Sequence, residues 1–473
     1  MELQYRGSGK VYYNSKEYNC DLYYNEKLGG ILLKLNVRHK KMMGNFLELP
    51  LELPVLCGKL NTGFKFTLLQ LTRTGMQDLV SYGTTVYTFV SQYLVCGIAN
   101  KNNSAPTFHK VQYRLSNIIE WGEESVYQVG ELFELTNKKE NIRKTLYKDE
   151  KFEVSYLVYS SSFPIVNHDV LKEVIKIEQR GLIEVVINGK EDLEYFNKIF
   201  AKVKRLIELS TLEKINIEEV DAYSVDVFEK IGNKKIERNI QVYGIDINEY
   251  KPKDYKKNRS WKWITITELI NHNSFKHYFD KDEKLAPIIE LFLEPFYIDK
   301  ISETKVFLNI VQALETYHSR FITNDMKGFK QRIGEMVKDF SPERAEEIRK
   351  FILANSKRFI TLESRLADLL IADWKIYFDT GEINRTDFPE IIAATRNYYI
   401  HYDERIKNER RVLTDEELQI YNRALIQILE YYILFELGFT EENGEFKKRL
   451  FSRWGNVSQS LELLRLSRTQ HNT

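Results

Sequence analysis

Long apolar stretches are missing from this 473-residue chain. No run approaches the roughly 18 apolar residues that a membrane-spanning helix needs, so none is expected. Cysteine is scarce too. Cys20, Cys57 and Cys96 are an odd number without a C-x-x-C pair, which argues against a disulfide framework or a zinc site and for reduced thiols. Charge of one sign is also lacking. The 69 Lys and Arg stand against 68 Asp and Glu, a net +1, so any site for a polyanion or a membrane surface must be a local patch. The opening MELQYRGSGKVYYN has no apolar core of a signal peptide, and a cytoplasmic protein is expected. Several enzyme signatures do not occur. Gly9-Lys10 and Gly58-Lys59 lack the upstream glycine and following Ser/Thr of a phosphate loop, and GxSxG, HExxH and an EF-hand loop are absent. His272 and His277 lie five apart, about 140° around a helix, and would not chelate one metal unaided. No metal and no cofactor are expected.

What is present is ordinary for globular domains: 43% hydrophobic and 29% charged residues, in a chain long enough for two or three domains. Glycine divides it. Sixteen of the 22 glycines precede residue 245 and six follow residue 300, which predicts a turn-rich β half and then a helical half. Tyr18, Cys20, Leu22 and Tyr24 alternate with polar or edge residues, Gly29-Gly30 offers a turn, and Leu33, Leu35 and Val37 continue the alternation. The period returns at Phe64, Phe66 and Leu68 and at Val111, Tyr113 and Leu115. Ile175 and Ile177, then Arg180-Gly181, then Ile183, Val185 and Ile187 read as another hairpin. Leu193, Phe196, Ile199, Phe200, Val203 and Ile207 change to helical spacing. The expected class is α+β and multidomain. An antiparallel sandwich or barrel with a packed helix occupies residues 1–250, residues 251–283 form a basic-aromatic linker with short helices, and 284–473 form an all-α bundle.

In the linker, Lys256, Lys257 and Arg259 alternate with Tyr255, Trp261 and Trp263. Cations beside stacking rings suit single-stranded RNA, although a solvated connector has the same composition. In the helical half, Ser341-Pro342-Glu343 supplies helix-start signals, and Thr414 with Glu417 forms a capping box ahead of an apolar run. Helices are expected over 361–378 and 389–405. Lys447, Lys448, Arg449 and Arg453 form a basic run, readable as a solvated face or an RNA-tracking strip.

One chemical constellation remains: TRNYYIHYDE, residues 395–404, with Arg396, Asn397 and His401. Arg-to-His spacing alone is weak, since roughly one match is expected by chance. A second match, Arg465 with His471, sits in a tail. On a helical wheel Phe388, Ile391, Ile392, Thr395, Tyr398, Tyr399 and Tyr402 make a core stripe, and Arg396, Asn397 and His401 fall on the other side. Ile400 lies among these three, as on a face covered by a partner. Asn397, four before His401, can reach the imidazole and fix its tautomer. On the helix 306–321, Gln312 and Glu315 share a polar strip, and His318 lies on the apolar side as a packing residue.

The R-N-x-x-x-H segment resembles the signature of the HEPN superfamily (higher eukaryotes and prokaryotes nucleotide-binding). More narrowly, VFLNIVQALETYHSRF (306–321), LAPIIELFLEPFY (285–297) and TLESRLADLL (361–370) are similar to helices of the ApeA-type HEPN ribonucleases of bacterial anti-phage abortive infection. The resemblance implies a metal-independent endoribonuclease acting on host RNA, with tRNA the candidate target, by attack of the 2′-OH to leave 2′,3′-cyclic phosphate ends. It implies catalytic roles for Arg396, Asn397 and His401, with Glu315 matching a family position from which it could hold Arg396. It also implies a homodimer through the HEPN domain and an amino-terminal domain that binds an infection cue such as a phage protein, with no membrane partner. A non-catalytic HEPN module that binds RNA or a partner, as in toxin–antitoxin pairs, is the alternative.

Overall fold

Alternating apolar residues close the first strands into a barrel. The computed structural model describes residues 4–14, 16–25, 30–38, 49–79, 83–100, 102–130, 135–137, 141–160, 179–232, 234–244, 247, 264–298, 300–322, 333–354, 361–370, 387–440, 450 and 453. Strands β1 (Gln4–Tyr13), β2 (Lys16–Asn25), β3 (Gly30–Arg38), β4 (Glu52–Leu60), β5 (Lys65–Leu79) and β6 (Thr84–Cys96) pair antiparallel in the order β6-β3-β2-β1-β4-β5. β5 then pairs back onto β6, which closes the cylinder. The inward set is the one the alternation selects: Leu22, Leu33, Leu35, Phe66, Leu68, Tyr87 and Phe89 are buried together.

Closure needs two backbones to pass closely. A Cβ on Gly9 would lie 2.4 Å from the Lys59 carbonyl oxygen and 2.6 Å from the Leu60 Cα. Only glycine fits where β1 crosses β4. The three cysteines are free thiols, and burial pushes those of Cys20 and Cys96 up to about 12.

Six further strands extend the sheet. They are β7 (Phe108–Leu115), β10 (Ile142–Lys148), β11 (Phe152–Ser160), β12 (Gln179–Glu191), β13 (Ile217–Ile231) and β14 (Lys234–Gly244), in the order β10-β11-β12-β7-β13-β14. β14 joins the barrel at β6 through Val242↔Val95, Tyr243↔Leu94 and Gly244↔Tyr93. β8 (Tyr127–Val129) and β9 (Leu135–Asn137) form a separate ribbon. Helix α1 (Ile118–Gly122) lies in this region, and α2 (Leu193–Thr211) buries the six apolar residues that its spacing singled out. Tyr113 stacks on Phe200 of α2, with centroids 3.8 Å apart.

The hairpin expected around Arg180-Gly181 is not there. Both residues lie inside β12, paired with Tyr159 and Val158, and residues 175–178 lie outside the described residues. Gly181 serves packing instead of a turn. A Cβ there would meet side-chain carbons of Ile118 and Ile119, each at 2.7 Å.

The chain divides into two units between Ile270 and Asn271, later than residue 250. Of the residues assigned to the linker, 251–263 lie outside the described residues, and those from Ile264 onward belong to folded units. The Trp121 indole donates to the Ile264 carbonyl at 3.1 Å. Helix α3 (Ile266–Asn271) ends at the division, and α4 (Ser274–Tyr297) starts ten residues before the expected boundary at 284.

The second unit is helical: α4, α5 (Glu303–Phe321), α6 (Pro342–Ala354), α7 (Leu362–Leu369), α8 (Phe388–His401), α9 (Glu404–Glu409) and α10 (Asp415–Glu436). α5 packs on α4, α7, α8 and α10, burying Phe307, Ile310, Val311 and Leu314. The Thr414–Glu417 capping box starts α10. Two helices are shorter than expected. α7 ends at Leu369, with 371–378 outside the described residues, and α8 stops at His401 because Tyr402 turns left-handed at φ 50 and Asp403 caps a new helix. No described helix is long and apolar enough to cross a membrane.

Gly9→Ala should destabilise the protein by about 1–3 kcal/mol in urea titration. Gly75→Ala, whose Cβ would meet only Thr88, at 3.6 Å, should be nearly silent.

Candidate functional site

α8 is anchored by its first two turns. Phe388 stacks on Tyr421 of α10 with centroids 5.7 Å apart, Ile391 and Ile392 are buried, and the Thr395 hydroxyl accepts from the Leu413 N–H at 3.1 Å. With that side fixed, Arg396 emerges toward α5. Its Nη2 lies 3.7 Å from Glu315 Oε2, and its Nη1 donates to Asn397 Oδ1 at 3.2 Å. Both members of the ion pair are about one-third exposed (33% and 36%), so its worth is about 0–1 kcal/mol. It steers the guanidinium more than it stabilises the fold.

The guanidinium faces an open cleft of about 580 Å³. α5 supplies Leu308, Gln312, Glu315, Thr316 and Ser319, α7 supplies Arg365, and α8 supplies Arg396 and Ile400. Gln312, Glu315 and Arg396 are thus brought together. Ile400 is 45% exposed within this polar lining.

His401 does not line the cleft. It is exposed at the last residue of α8, and among the described residues its ring makes no hydrogen bond. Asn397 therefore does not fix its tautomer as the spacing suggested. The Asn397 carbonyl oxygen accepts from the Arg396 guanidinium instead, and a charge-assisted bond outcompetes a neutral one. Beyond the helix end, Asp403 has its carboxyl held below the usual range, first by Arg405, with a smaller contribution from His401.

The aromatic part of the expected core stripe also departs from the wheel. Phe388, Ile391, Ile392 and Thr395 are buried, but Tyr398 and Tyr399 are half-buried and Tyr402 is 66% exposed. The three rings pack edge-on against one another, with centroids 5.3, 5.9 and 6.3 Å apart. The helix outruns its core by one turn, and the phenols reach water. The Tyr399 hydroxyl, 3.4 Å from Asp415 Oδ1, titrates above its ordinary value through burial and that carboxylate.

His318 is buried, at 1% exposure, and is held from both ring nitrogens. Nε2 lies 2.8 Å from Asp368 Oδ2 and Nδ1 lies 3.4 Å from Arg365 Nη1, both on α7. Sequence reasoning missed Arg365 and Asp368. The usable signal was a histidine on an apolar face, which needs polar partners when buried, together with two charged residues three apart on 361–370.

Of the basic residues singled out, Lys256, Lys257, Arg259, Lys447, Lys448 and Arg449 lie outside the described residues. Arg453, from the second run, is neither solvated nor an RNA-tracking side chain. It is buried against Glu430, each side chain at most 2% exposed, and its desolvation lowers the guanidinium's affinity for its proton. His272 stacks on Phe439, with ring centroids 4.1 Å apart. Among the described residues, no three His, Cys, Asp or Glu are grouped so as to hold a metal ion.

Two family models match the chain. ApeA N-terminal domain 1 covers residues 4–281, and Apea-like HEPN covers residues 308–443. No curated protein matches, and no solved structure matches. The first match spans the barrel and its strand extension. The second spans α5 through α10, hence every residue of the cleft.

Arg453→Ala should cost about 3–5 kcal/mol in denaturant titration, because it removes the guanidinium from a buried ion pair with Glu430. The double change Glu430→Leu with Arg453→Met should recover most of that loss.

Proposed function

The chain belongs to the ApeA-type HEPN proteins, a nuclease-like family whose domains fit abortive-infection defence, and from that membership we propose that it is a metal-independent endoribonuclease acting on host RNA, with tRNA the candidate substrate. The observation that carries the proposal is the division of labour along α8. Arg396 points a guanidinium into a cleft, and five residues on His401 offers an imidazole that no described side chain occupies.

Self-cleavage of RNA requires three things of a protein. A proton must leave the 2′-hydroxyl as its oxygen attacks phosphorus, a proton must reach the departing 5′-oxygen as the P–O5′ bond breaks, and the pentacoordinate phosphorus must have its extra negative charge stabilised. An imidazole can take or give the proton near neutrality. A guanidinium, permanently charged and forked, suits the phosphorane oxygens. Glu315 and the Asn397 carbonyl steer that guanidinium. Because His401 stands outside the cleft of its own subunit, a second copy of the helical unit supplies the complementary imidazole across a twofold axis. One imidazole then acts as base and the other as acid, leaving a 2′,3′-cyclic phosphate and a 5′-hydroxyl. Exposed Ile400 sits on the face that this pairing covers. The amino-terminal barrel and its extension receive the infection cue that releases the nuclease.

His401→Ala and Arg396→Ala should each lower RNA cleavage by at least about 10²-fold while the circular dichroism and oligomeric state are retained. EDTA should leave the rate unchanged. Full cleavage by His401→Ala overturns the assignment. Protein that binds RNA and never shortens it points to a non-catalytic binding module.

A further inference from the structure

The cleft contains a second guanidinium that the R-N-x-x-x-H segment does not provide. Arg365 of α7 lines it together with Arg396 of α8. The two arginines differ in what surrounds them. Arg396 has a carboxylate, Glu315, at 3.7 Å. Arg365 has none within ion-pair distance among the described residues, and its one hydrogen bond there runs to the Nδ1 of His318 at 3.4 Å. Its Nε is buried without an acceptor among those residues. A buried N–H without an acceptor is costly, and a ligand that seats on the same guanidinium offsets that cost.

The geometry behind Arg365 fixes its direction. A guanidinium only donates, so His318 Nδ1 must accept. The ring proton therefore sits on Nε2, which donates to Asp368 Oδ2 at 2.8 Å. The ring is buried in the packing of α5 and both of its nitrogens are engaged, so it cannot turn to serve the cleft itself. Asp368 selects the tautomer, the tautomer leaves a lone pair for Arg365, and among the described residues the other N–H groups of Arg365 meet no acceptor. A planar fork with several unused donors matches an anion that offers two oxygens, as a phosphodiester does.

We propose that Arg365 binds a backbone phosphate of RNA in the cleft, beside the phosphate handled by Arg396, and that His318 and Asp368 are positioning residues for it. The proposal rests on the nuclease reading only in taking RNA as the ligand.

The test uses full-length His401→Ala protein, so that RNA stays intact, and measures binding of a labelled mixed-sequence single-stranded oligoribonucleotide across a salt series. Adding Arg365→Gln should weaken binding roughly tenfold and flatten the slope of log Kd against log salt by about 0.7, the signature of one lost phosphate contact. His318→Leu should weaken binding in the same direction. His318→Gln, whose amide can accept from Arg365 and donate to Asp368, should restore most of it. Should His318→Leu fail to fold, Asp368→Ala replaces it, since that side chain is 59% exposed. Unchanged affinity and slope for Arg365→Gln, in a protein whose His401 form does cleave RNA, overturns the phosphate site and leaves the nuclease standing. Equal loss for His318→Leu and His318→Gln overturns the positioning role. An Arg365-dependent slope in a protein that never cleaves RNA keeps the phosphate site and removes the catalytic assignment. No RNA binding at all removes both.

Discussion

The helical unit depends on how one helix spends its circumference. α5 is packed by α4, α7, α8 and α10, and nine of its nineteen residues are buried in the core. Beside the buried face runs a polar strip with Gln312, Glu315, Thr316 and Ser319, which becomes the floor of the cleft. Two arginines from different helices line the cleft above that strip. Glu315 on that strip meets Arg396, and His318, turned toward the core, meets Arg365 from below. The burial that holds the bundle together and the polarity that makes a site are set by the same helical period.

That period explains what the sequence disclosed. α2 buries the residues its spacing marks, and the alternation of Leu33, Leu35 and Val37 puts each of them inside the barrel. Periodicity reports one face of one element, and it fails where the decisive neighbour is distant. Gly181 looked like a turn because glycine permits turns, but its missing side chain makes room for Ile118 and Ile119 from another part of the chain. Tyr398, Tyr399 and Tyr402 carry the core stripe past the end of the core, since a wheel cannot show where the facing helix stops. Gln312, Glu315 and Arg396 could be gathered from spacing and family likeness. Arg365 and Asp368 could not, because their meaning comes from a histidine nearly fifty residues earlier in the chain.

Charge shows the same dependence on context. Arg453 closes a basic run, yet it is buried opposite Glu430, where it orders the helical core. Arg365, on a short helix of mixed composition, has a buried Nε and no carboxylate within ion-pair distance among the described residues. Counting cations along a sequence locates neither case. Whether a guanidinium is structural or available is decided by how deeply it and its partner are buried, and that is a property of the folded packing.

The amino-terminal unit joins six strands in a closed wall to six in an open extension through three residue pairs between β14 and β6. Within the wall every strand has two neighbours and none can leave without breaking two ladders. At the junction three residue pairs are all the strand pairing among the described residues. Backbone pairing there is sparse among the described residues, so side-chain packing such as Tyr24 against Tyr243, with ring centroids 4.9 Å apart, carries much of the hold of cylinder on extension.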